Sequence, residues 1–167
     1  MLGGVGSIVE VDEAKFGKRK FNMGKRVEEM WIFGMLERES GKCCFIPVKS
    51  RDEVTLIEEI KKFIVPGTTI YSDCWKAYSS LKDNGYQYCT VNHSKNFKDP
   101  VSGVHTNNIE GSWNLLRRSL PRFGTTKALY ASYMIEFMYR RKYFRSLERG
   151  KRFPLFLEHI SEMNVIW

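Results

Sequence analysis

Apolar and polar residues alternate in three segments near the start of the chain. These segments are residues 7–16, 29–38 and 42–50. A two-residue period is typical of strands that bury one face. The short turn Glu39-Ser40-Gly41 joins the second segment to the third. We therefore predict a meander of three antiparallel strands, with a strongly basic loop in residues 17–29.

From residue 51 the apolar positions recur at three- and four-residue intervals, which predicts an amphipathic helix over residues 51–67, ended by Pro66-Gly67. A β-branched run at residues 68–75 predicts a fourth strand, and residues 86–93 predict a fifth. A short helix over residues 76–85 lies between them. The apolar positions of the first helix are Val54, Ile57, Ile60 and Ile64.

The remainder of the chain is helical by pattern. After a polar loop at residues 94–105, a helix runs from Asn107 to about Leu120, with Thr106 or Asn107 as its cap, and Pro121 ends it. Residues 125–144 form a second helix, rich in aromatic residues. The tail, residues 146–167, is basic and then apolar and has no clear period.

The order is thus three strands, helix, strand, helix, strand and two helices. It describes an α/β protein with a mixed sheet flanked by helices. A ribonuclease-H-like fold has this order, and several other α/β folds also fit it. A length of 167 residues suits one domain. We expect residues 1–145 to form it, with residues 146–167 packed on it or extending from it.

Three acids follow predicted strands or begin a predicted helix. Asp12 lies at or near the end of the first strand, Asp73 ends the fourth, and Glu110 lies one turn into its helix. If the two strands are neighbours, the aspartates lie close together and favour a divalent cation with oxygen ligands. Glu10 and Glu13 are rivals of Asp12. Each acid also has a structural interpretation, as a turn or cap residue or as a favourable charge at a helix start.

The helix that carries Glu110 has a face suited to a site. Positions i+4 and i+7 from Glu110 are Asn114 and Arg117, so a carboxylate and a cation point the same way. Arg117 can then contact a phosphate of a nucleic acid whose backbone lies near Glu110. The apolar residues of this helix are interpreted as core: Trp113, Leu116 and Leu120.

Composition narrows the class of partner. The 27 Lys and Arg exceed the 19 Asp and Glu, which gives a net charge of +8. This excess favours a polyanion such as DNA or RNA as partner, although a basic protein without such a partner also fits.

No apolar run approaches the roughly 18 residues of a membrane span, and the start lacks a secretory leader. We therefore expect an intracellular protein.

The chain has four cysteines: Cys43, Cys44, Cys74 and Cys89. Their spacing is not that of a zinc site, so we predict that they are reduced thiols.

Four longer blocks carry a family resemblance: IVEVDEAKFGKRKFNMGKRVE, PGTTIYSDCWKAYSSL, YCTVNHSKNFKDP and VHTNNIEGSWNLLRRSLPR. In this order, from about Ile8 to Phe144, the chain resembles the catalytic domain of Merlin-superfamily DDE transposases, which are related to bacterial insertion-sequence transposases. The resemblance implies a ribonuclease-H-like fold and an acidic triad that binds two Mg²⁺ or Mn²⁺ ions. Asp12, Asp73 and Glu110 match the three acids.

The resemblance also implies roles for neighbouring residues. Asn107 is a weaker candidate for the third ligand, because some relatives carry Asn there. His93 and His105 fall in shared motifs as neighbours of the active site, and the alternative interpretation is that each satisfies local hydrogen bonds. Arg117 stands where the family tends to carry a basic residue. The expected DNA-binding residues are Lys15, Lys18, Arg19, Lys20, Lys25, Arg26, Arg117 and Arg118, and Arg140, Arg141 and Lys142 extend them. An alternative interpretation of the basic loop is a solvent-exposed hairpin that does not bind DNA.

The function implied is metal-dependent cleavage of double-stranded DNA at the ends of a mobile element, followed by joining of its 3′ ends to target DNA. A homo-oligomer is implied, acting in the nucleus of a eukaryote or in the cytoplasm or nucleoid of a bacterium, without a membrane partner. Only residues 1–7 precede the first strand, so a catalytic fragment or a domesticated copy is expected. Two alternatives remain: a domesticated DNA-binding protein without catalysis, and a ribonuclease-H-like nuclease acting on RNA or hybrids.

Overall fold

A computed structural model describes residues 1–17, 29–73, 76–91, 99–100, 103–121 and 125–163. It contains five strands: β1 Ile8–Phe16, β2 Met30–Glu37, β3 Cys43–Val48, β4 Thr69–Asp73 and β5 Gln87–Val91. Four α-helices are present in these ranges: α1 Glu53–Phe63, α2 Asn107–Ser119, α3 Tyr130–Tyr143 and α4 Arg149–Glu162. Two 3-10 helices span Lys76–Asn84 and Lys127–Leu129.

The five strands form one mixed sheet in the order β3-β2-β1-β4-β5. β1 pairs with β2, and β2 with β3, in antiparallel fashion, so the predicted meander is confirmed. β4 pairs in parallel with both β1 and β5. β1 is therefore the central strand, and β4 is its neighbour, as the hypothesis of a shared acidic site requires.

Two hydrophobic cores lie on opposite faces of this sheet because the side chains of β1 alternate. Val9 and Val11 pack in the core that α1 and the longer 3-10 helix cover. Ala14 and Phe16 pack in the core beneath α2 and α3. Each face of the sheet is thus covered, which is the layered arrangement expected of an α/β domain.

Three helical segments differ from the predicted pattern. α1 ends at Phe63, before Ile64, which leaves the helix to form a parallel bridge with Leu2. Val54 is 68% exposed, so it is not part of the buried face as predicted. The segment from residue 76 is a 3-10 helix instead of an α-helix. The predicted helix over residues 125–144 starts as a separate 3-10 turn and becomes α-helical at Tyr130.

The tail contains a helix that the sequence pattern did not indicate. α4 carries Pro154 in its interior, where proline removes a backbone donor and is disfavoured. α4 contacts α3 through Phe156 and through His159, whose Nδ1 lies 2.8 Å from the Tyr139 hydroxyl. Among the described helices, none combines the length and the apolar character needed to cross a membrane.

Candidate active site

The register between β1 and β4 brings two acids together. Ile8 pairs with Thr69, an offset of 61 residues (69 − 8 = 61), and the same offset holds for the next two pairs. Asp12 and Asp73 are also 61 residues apart (73 − 12 = 61). The pairing ends at Glu10 and Tyr71, and continuing its offset for two more residues puts both aspartates on the same face of the sheet.

Asp12 is the fifth of the nine residues of β1, so it lies in the middle of the strand and not at or near its end as predicted. β1 continues for four residues beyond it (16 − 12 = 4), because Glu13 to Phe16 stay paired with β2. Asp73, in contrast, is the last residue of β4, as predicted.

Two hydrogen bonds fix the orientation of the Asp12 carboxylate. Oδ1 accepts from the backbone N–H of Glu13 at 2.8 Å, and Oδ2 accepts from the indole Nε1–H of Trp113 at 2.8 Å. Burial, together with the negative charges of Asp73 and Glu110, raises the pKa of Asp12 to about 6, although these two hydrogen bonds act to lower it. Asp73 and Glu110 therefore lie close enough to Asp12 for their negative charges to disfavour its ionised form.

Glu110 is the fourth residue of α2, and its Oε1 lies 3.4 Å from the Thr106 hydroxyl, which donates to it. Asp12 and Glu110 line one open cleft of about 570 Å³. The predicted helix face is present in this cleft, since Asn114 and Arg117 also line it. The other residues of the cleft are Glu13, Ala14, Lys15, Trp31, Arg51 and Trp113.

The donor set of the site suits a hard divalent cation, because it consists of carboxylate oxygens. Asp12 uses one lone pair on each oxygen for its hydrogen bonds and keeps acceptor capacity on both. Within the described part of the chain, no three Asp, Glu, His or Cys side chains lie close enough to ligate one ion. Asp12 and Glu110 thus line one cleft, Asp73 is not among its lining residues, and the three acids do not form a closed ligand set.

A buried glutamate holds the start of α2 against β1. Glu10 is completely buried, and its carboxylate accepts from the Ile109 backbone N–H at 2.9 Å and from the Asn108 side-chain amide at 2.8 Å. Arg38 donates to it through Nε at 2.6 Å. Thr106 occupies the cap position without a side-chain cap bond, so the carboxylate of Glu10 satisfies a free N–H at the helix start. Glu10 therefore positions α2 instead of replacing Asp12 in the site.

His105 belongs to this buried network and does not line the cleft. The guanidinium of Arg38 lies 2.8 Å from His105 Nδ1 and donates to the His105 carbonyl at 2.7 Å. Because an arginine can only donate, Nδ1 is the acceptor and the ring proton lies on Nε2. The local hydrogen-bonding interpretation of His105 thus fits its position in the structure.

The other predicted residues divide into three groups. Arg117 places its guanidinium 5.2 Å from the Phe16 ring centroid, and Lys15 forms an ion pair with Glu29. Asn107 and Arg118 are exposed and do not line the cleft. His93 and five of the predicted basic residues lie outside the described residues: Lys18, Arg19, Lys20, Lys25 and Arg26.

Glu13, Trp31 and Arg51 lie in the cleft without having been predicted there. Glu13 faces away from Asp12, accepts a hydrogen bond from the Tyr78 hydroxyl, and has its pKa raised to about 8 by burial and by the charges of Asp12 and Asp73. Arg51 lies 4.7 Å from the Trp31 ring centroid. The sequence signal for Arg51 was its place directly after a predicted strand, where functional groups often project.

Trp113 was predicted as core, and it is 3% exposed, but it also contacts the site. Its position three residues after Glu110 on one helix face was the available signal. Periodicity alone did not separate a buried indole that only packs from one that also donates to an acid.

A model of the ISXO2-like transposase domain matches residues 1–142. This chain belongs to that family. The transposase family expected from the sequence motifs is thereby confirmed. A curated relative, an uncharacterized transposase-like protein from Haemophilus influenzae, is 26% identical over 96 residues, covering 57% of this chain and 76% of the relative.

Solved structures support the ribonuclease-H-like fold of this transposase domain. The catalytic core domain of HTLV-2 integrase in complex with magnesium has a TM-score of 0.54 at 9% identity, covering 90% of this chain and 93% of its own. The catalytic core of BIV integrase has a TM-score of 0.52 at 12% identity, covering 93% of this chain and 97% of its own. A chain of the simian T-cell lymphotropic virus intasome has a TM-score of 0.57 at 13% identity, covering 89% of this chain. This chain spans about half, 55%, of the intasome chain.

Proposed function

We propose that this chain is the catalytic domain of a DNA transposase, which cleaves DNA in a metal-dependent reaction and joins the 3′ ends to target DNA. The observation that carries the proposal is the shared register of Asp12 and Asp73 on adjacent parallel strands, with Glu110 on the cleft that Asp12 lines. Family membership over residues 1–142 supports the same reaction class. We assign catalysis to residues 1–145 and treat residues 146–167 as an attached tail.

Asp12, Asp73 and Glu110 are the residues that would hold divalent ions, Mg²⁺ or Mn²⁺, with two ions per site. The raised pKa of Asp12, caused by burial and by the neighbouring acids, supports this assignment because a cation relieves both effects. When bound, such ions supply a more acidic water or 3′-hydroxyl as nucleophile and stabilise the departing oxygen of the phosphodiester. One of the similar structures is an integrase core in complex with magnesium, which agrees with this choice of ion.

The side chains around the acids suit a DNA backbone. Arg117 lies on one side of the cleft, and Lys15 and Arg51 lie near the Trp31 ring on the other, at 5.7 and 4.7 Å from its centroid. Cations on two sides of an acidic centre can bind phosphates on either side of the bond to be broken, which orients that bond over the carboxylates. The net charge of +8 adds a general attraction for DNA.

The similar structures also support a proposal about the assembly and the substrate of this chain. One similar structure is a viral intasome, and two others are an integrase core in trimeric and dimeric form. We therefore infer that the transposase acts on double-stranded DNA, element ends and target, as a homo-oligomer.

The test uses the purified chain with Mn²⁺ and a labelled duplex that carries the DNA flanking its gene. We expect nicked product and joined product from the wild type, and neither product from Asp73→Asn or Glu110→Gln. Glu58→Gln, at an exposed position of α1, is the matched control and should react like the wild type.

Three outcomes contradict the proposal. DNA binding without any nick, unchanged in Asp73→Asn, indicates a domesticated binding protein. Cleavage of an RNA–DNA hybrid without joined products indicates a nuclease. Products that persist in both acid variants show that the reaction centre lies elsewhere.

A further inference from the structure

Three residues that pair across neighbouring strands lie beside the candidate site, under the indole of Trp113. Asp12 on β1 pairs with Gly34 on β2, and Gly34 pairs with Phe45 on β3. The indole of Trp113, from α2, lies over this row. Its ring centroid is 4.8 Å from that of Phe45 at an interplanar angle of 66°, and its Nε1–H donates to Asp12.

Gly34 makes this placement possible because it has no side chain. A Cβ at Gly34 would lie 2.6 Å from Cζ2 and 2.8 Å from Cη2 of Trp113, and 2.9 Å from Cε1 of Phe45. All of these atoms belong to buried rings, which cannot move aside as the end of a flexible side chain can. Gly34 is not one of the glycines with positive φ, so the close approach of the indole, and not the backbone conformation, requires glycine here.

We propose that Gly34 and Trp113 are positioning residues for Asp12: the bare strand at Gly34 admits the Trp113 indole, whose N–H holds the Asp12 carboxylate ready for a divalent cation. This inference rests on the proposed function, because it assigns the cation to Asp12. The indole N–H and the Glu13 backbone N–H each take one acceptor site, on different oxygens. The carboxylate is therefore held at both oxygens and keeps free acceptor capacity on each. Groups that orient a metal ligand in this way change metal affinity by about 10–100-fold when they are removed.

The experiment measures equilibrium binding of Mn²⁺ to the full chain by electron paramagnetic resonance. Trp113→Phe keeps an aromatic ring and removes the donor, and Gly34→Ala introduces the colliding methyl group. We expect each to weaken Mn²⁺ binding by about 10–100-fold. Gly150→Ala adds the same methyl group in α4, where nothing lies within 4 Å of it, and should bind as the wild type does.

A double variant separates positioning from general loosening of the core. Phenylalanine lacks the Cζ2 and Cη2 atoms that collide with the new methyl group, so of the three atoms named above only Cε1 of Phe45, on β3 two strands from Asp12, still collides. Once Trp113→Phe has removed the donor, Gly34→Ala should therefore weaken Mn²⁺ binding no further, so the two effects are not additive. Additive losses in the double variant would contradict the inference.

Asp12→Asn distinguishes failure of this inference from failure of the proposed function. If Asp12→Asn binds Mn²⁺ like the wild type, the assignment of the cation to Asp12 is wrong. If Asp12→Asn loses binding while Trp113→Phe retains wild-type affinity, the positioning role alone is wrong.

The wild-type chain offers a second measurement that does not depend on how the variants fold. The Trp113 indole N–H resonance is expected to shift when Mg²⁺ is added, because its acceptor then also binds the cation. A resonance that stays in place while Mg²⁺ binds would overturn the inference.

Discussion

Replacing Asp12 by asparagine should make the metal-free protein more stable at neutral pH. Burial, with the charges of Asp73 and Glu110, raises the pKa of Asp12 from 3.8 to about 6. The folded chain therefore binds this proton more tightly than the unfolded chain does, and the ionised group opposes folding above pH 6. Asparagine has nearly the shape of the protonated acid and never ionises, but its NH2 group cannot accept one of the two N–H hydrogen bonds, so the gain is smaller than the pKa shift alone predicts.

The size of the effect follows from the two pKa values. A tenfold change in a protonation equilibrium corresponds to about 1.4 kcal/mol, so a rise from 3.8 to about 6 corresponds to about 3 kcal/mol. Because Asp12 retains some contact with solvent, we expect Asp12→Asn to gain about 1–3 kcal/mol at pH 8. The gain should shrink as the pH falls from 6 and vanish below about pH 3.8, where the acid is protonated in both states.

The assay is urea unfolding from pH 4 to pH 8, followed by circular dichroism in the presence of a chelator. Asp52→Ala is the control with the opposite sign: hydrogen bonds from Ser50 and Thr55 lower the pKa of this exposed helix cap, and alanine removes the cap, so this variant should be less stable than the wild type at pH 8. Millimolar Mg²⁺ should stabilise the wild type and have little effect on Asp12→Asn. A loss of stability in Asp12→Asn at pH 8, or a difference independent of pH, would refute the reasoning.

Three further predictions concern other parts of the molecule. Glu10→Gln should cost about 3–5 kcal/mol in urea unfolding, because it leaves a largely buried arginine without its partner; a loss below 1 kcal/mol would contradict the proposed anchoring of α2. Arg117→Gln should reduce the log–log salt slope of DNA binding by about 0.9, whereas Lys62→Gln, on the opposite side of the sheet, should not; equal slopes would place the DNA elsewhere. Burial raises the pKa of the Cys43 and Cys44 thiols from 9.0 to about 11, so iodoacetamide should modify them about 100-fold more slowly in the folded chain than in urea at pH 8, measured by peptide mass spectrometry. Equal rates of modification in the folded chain and in urea would show that the two thiols are not buried.

The spacing of apolar residues predicted most of the strands and helices, because these elements depend on residues that are close together in the chain. The alternation in residues 7–16 led directly to β1, and the helical spacing near Ile57 and Ile60 to α1. The same reasoning missed α4, because Pro154 interrupts its helical pattern while contacts with α3 support the helix. It also placed Asp12 at or near the end of the first strand, whereas Asp12 is the fifth of the nine residues of β1.

The sequence by itself determined the five strands and the helices before α4, the positions of the three acids and the family of the domain. Only the tertiary structure decided which partners those acids have. The offset that aligns Asp12 with Asp73 depends on how β1 and β4 pair. Trp113 donates to Asp12 from 101 residues away, and Ile109 donates to Glu10 from 99 residues away. Contacts at such separations leave no local period in the chain, since they arise from the packing of α2 on β1, where Gly34 on the neighbouring strand leaves room for the Trp113 indole.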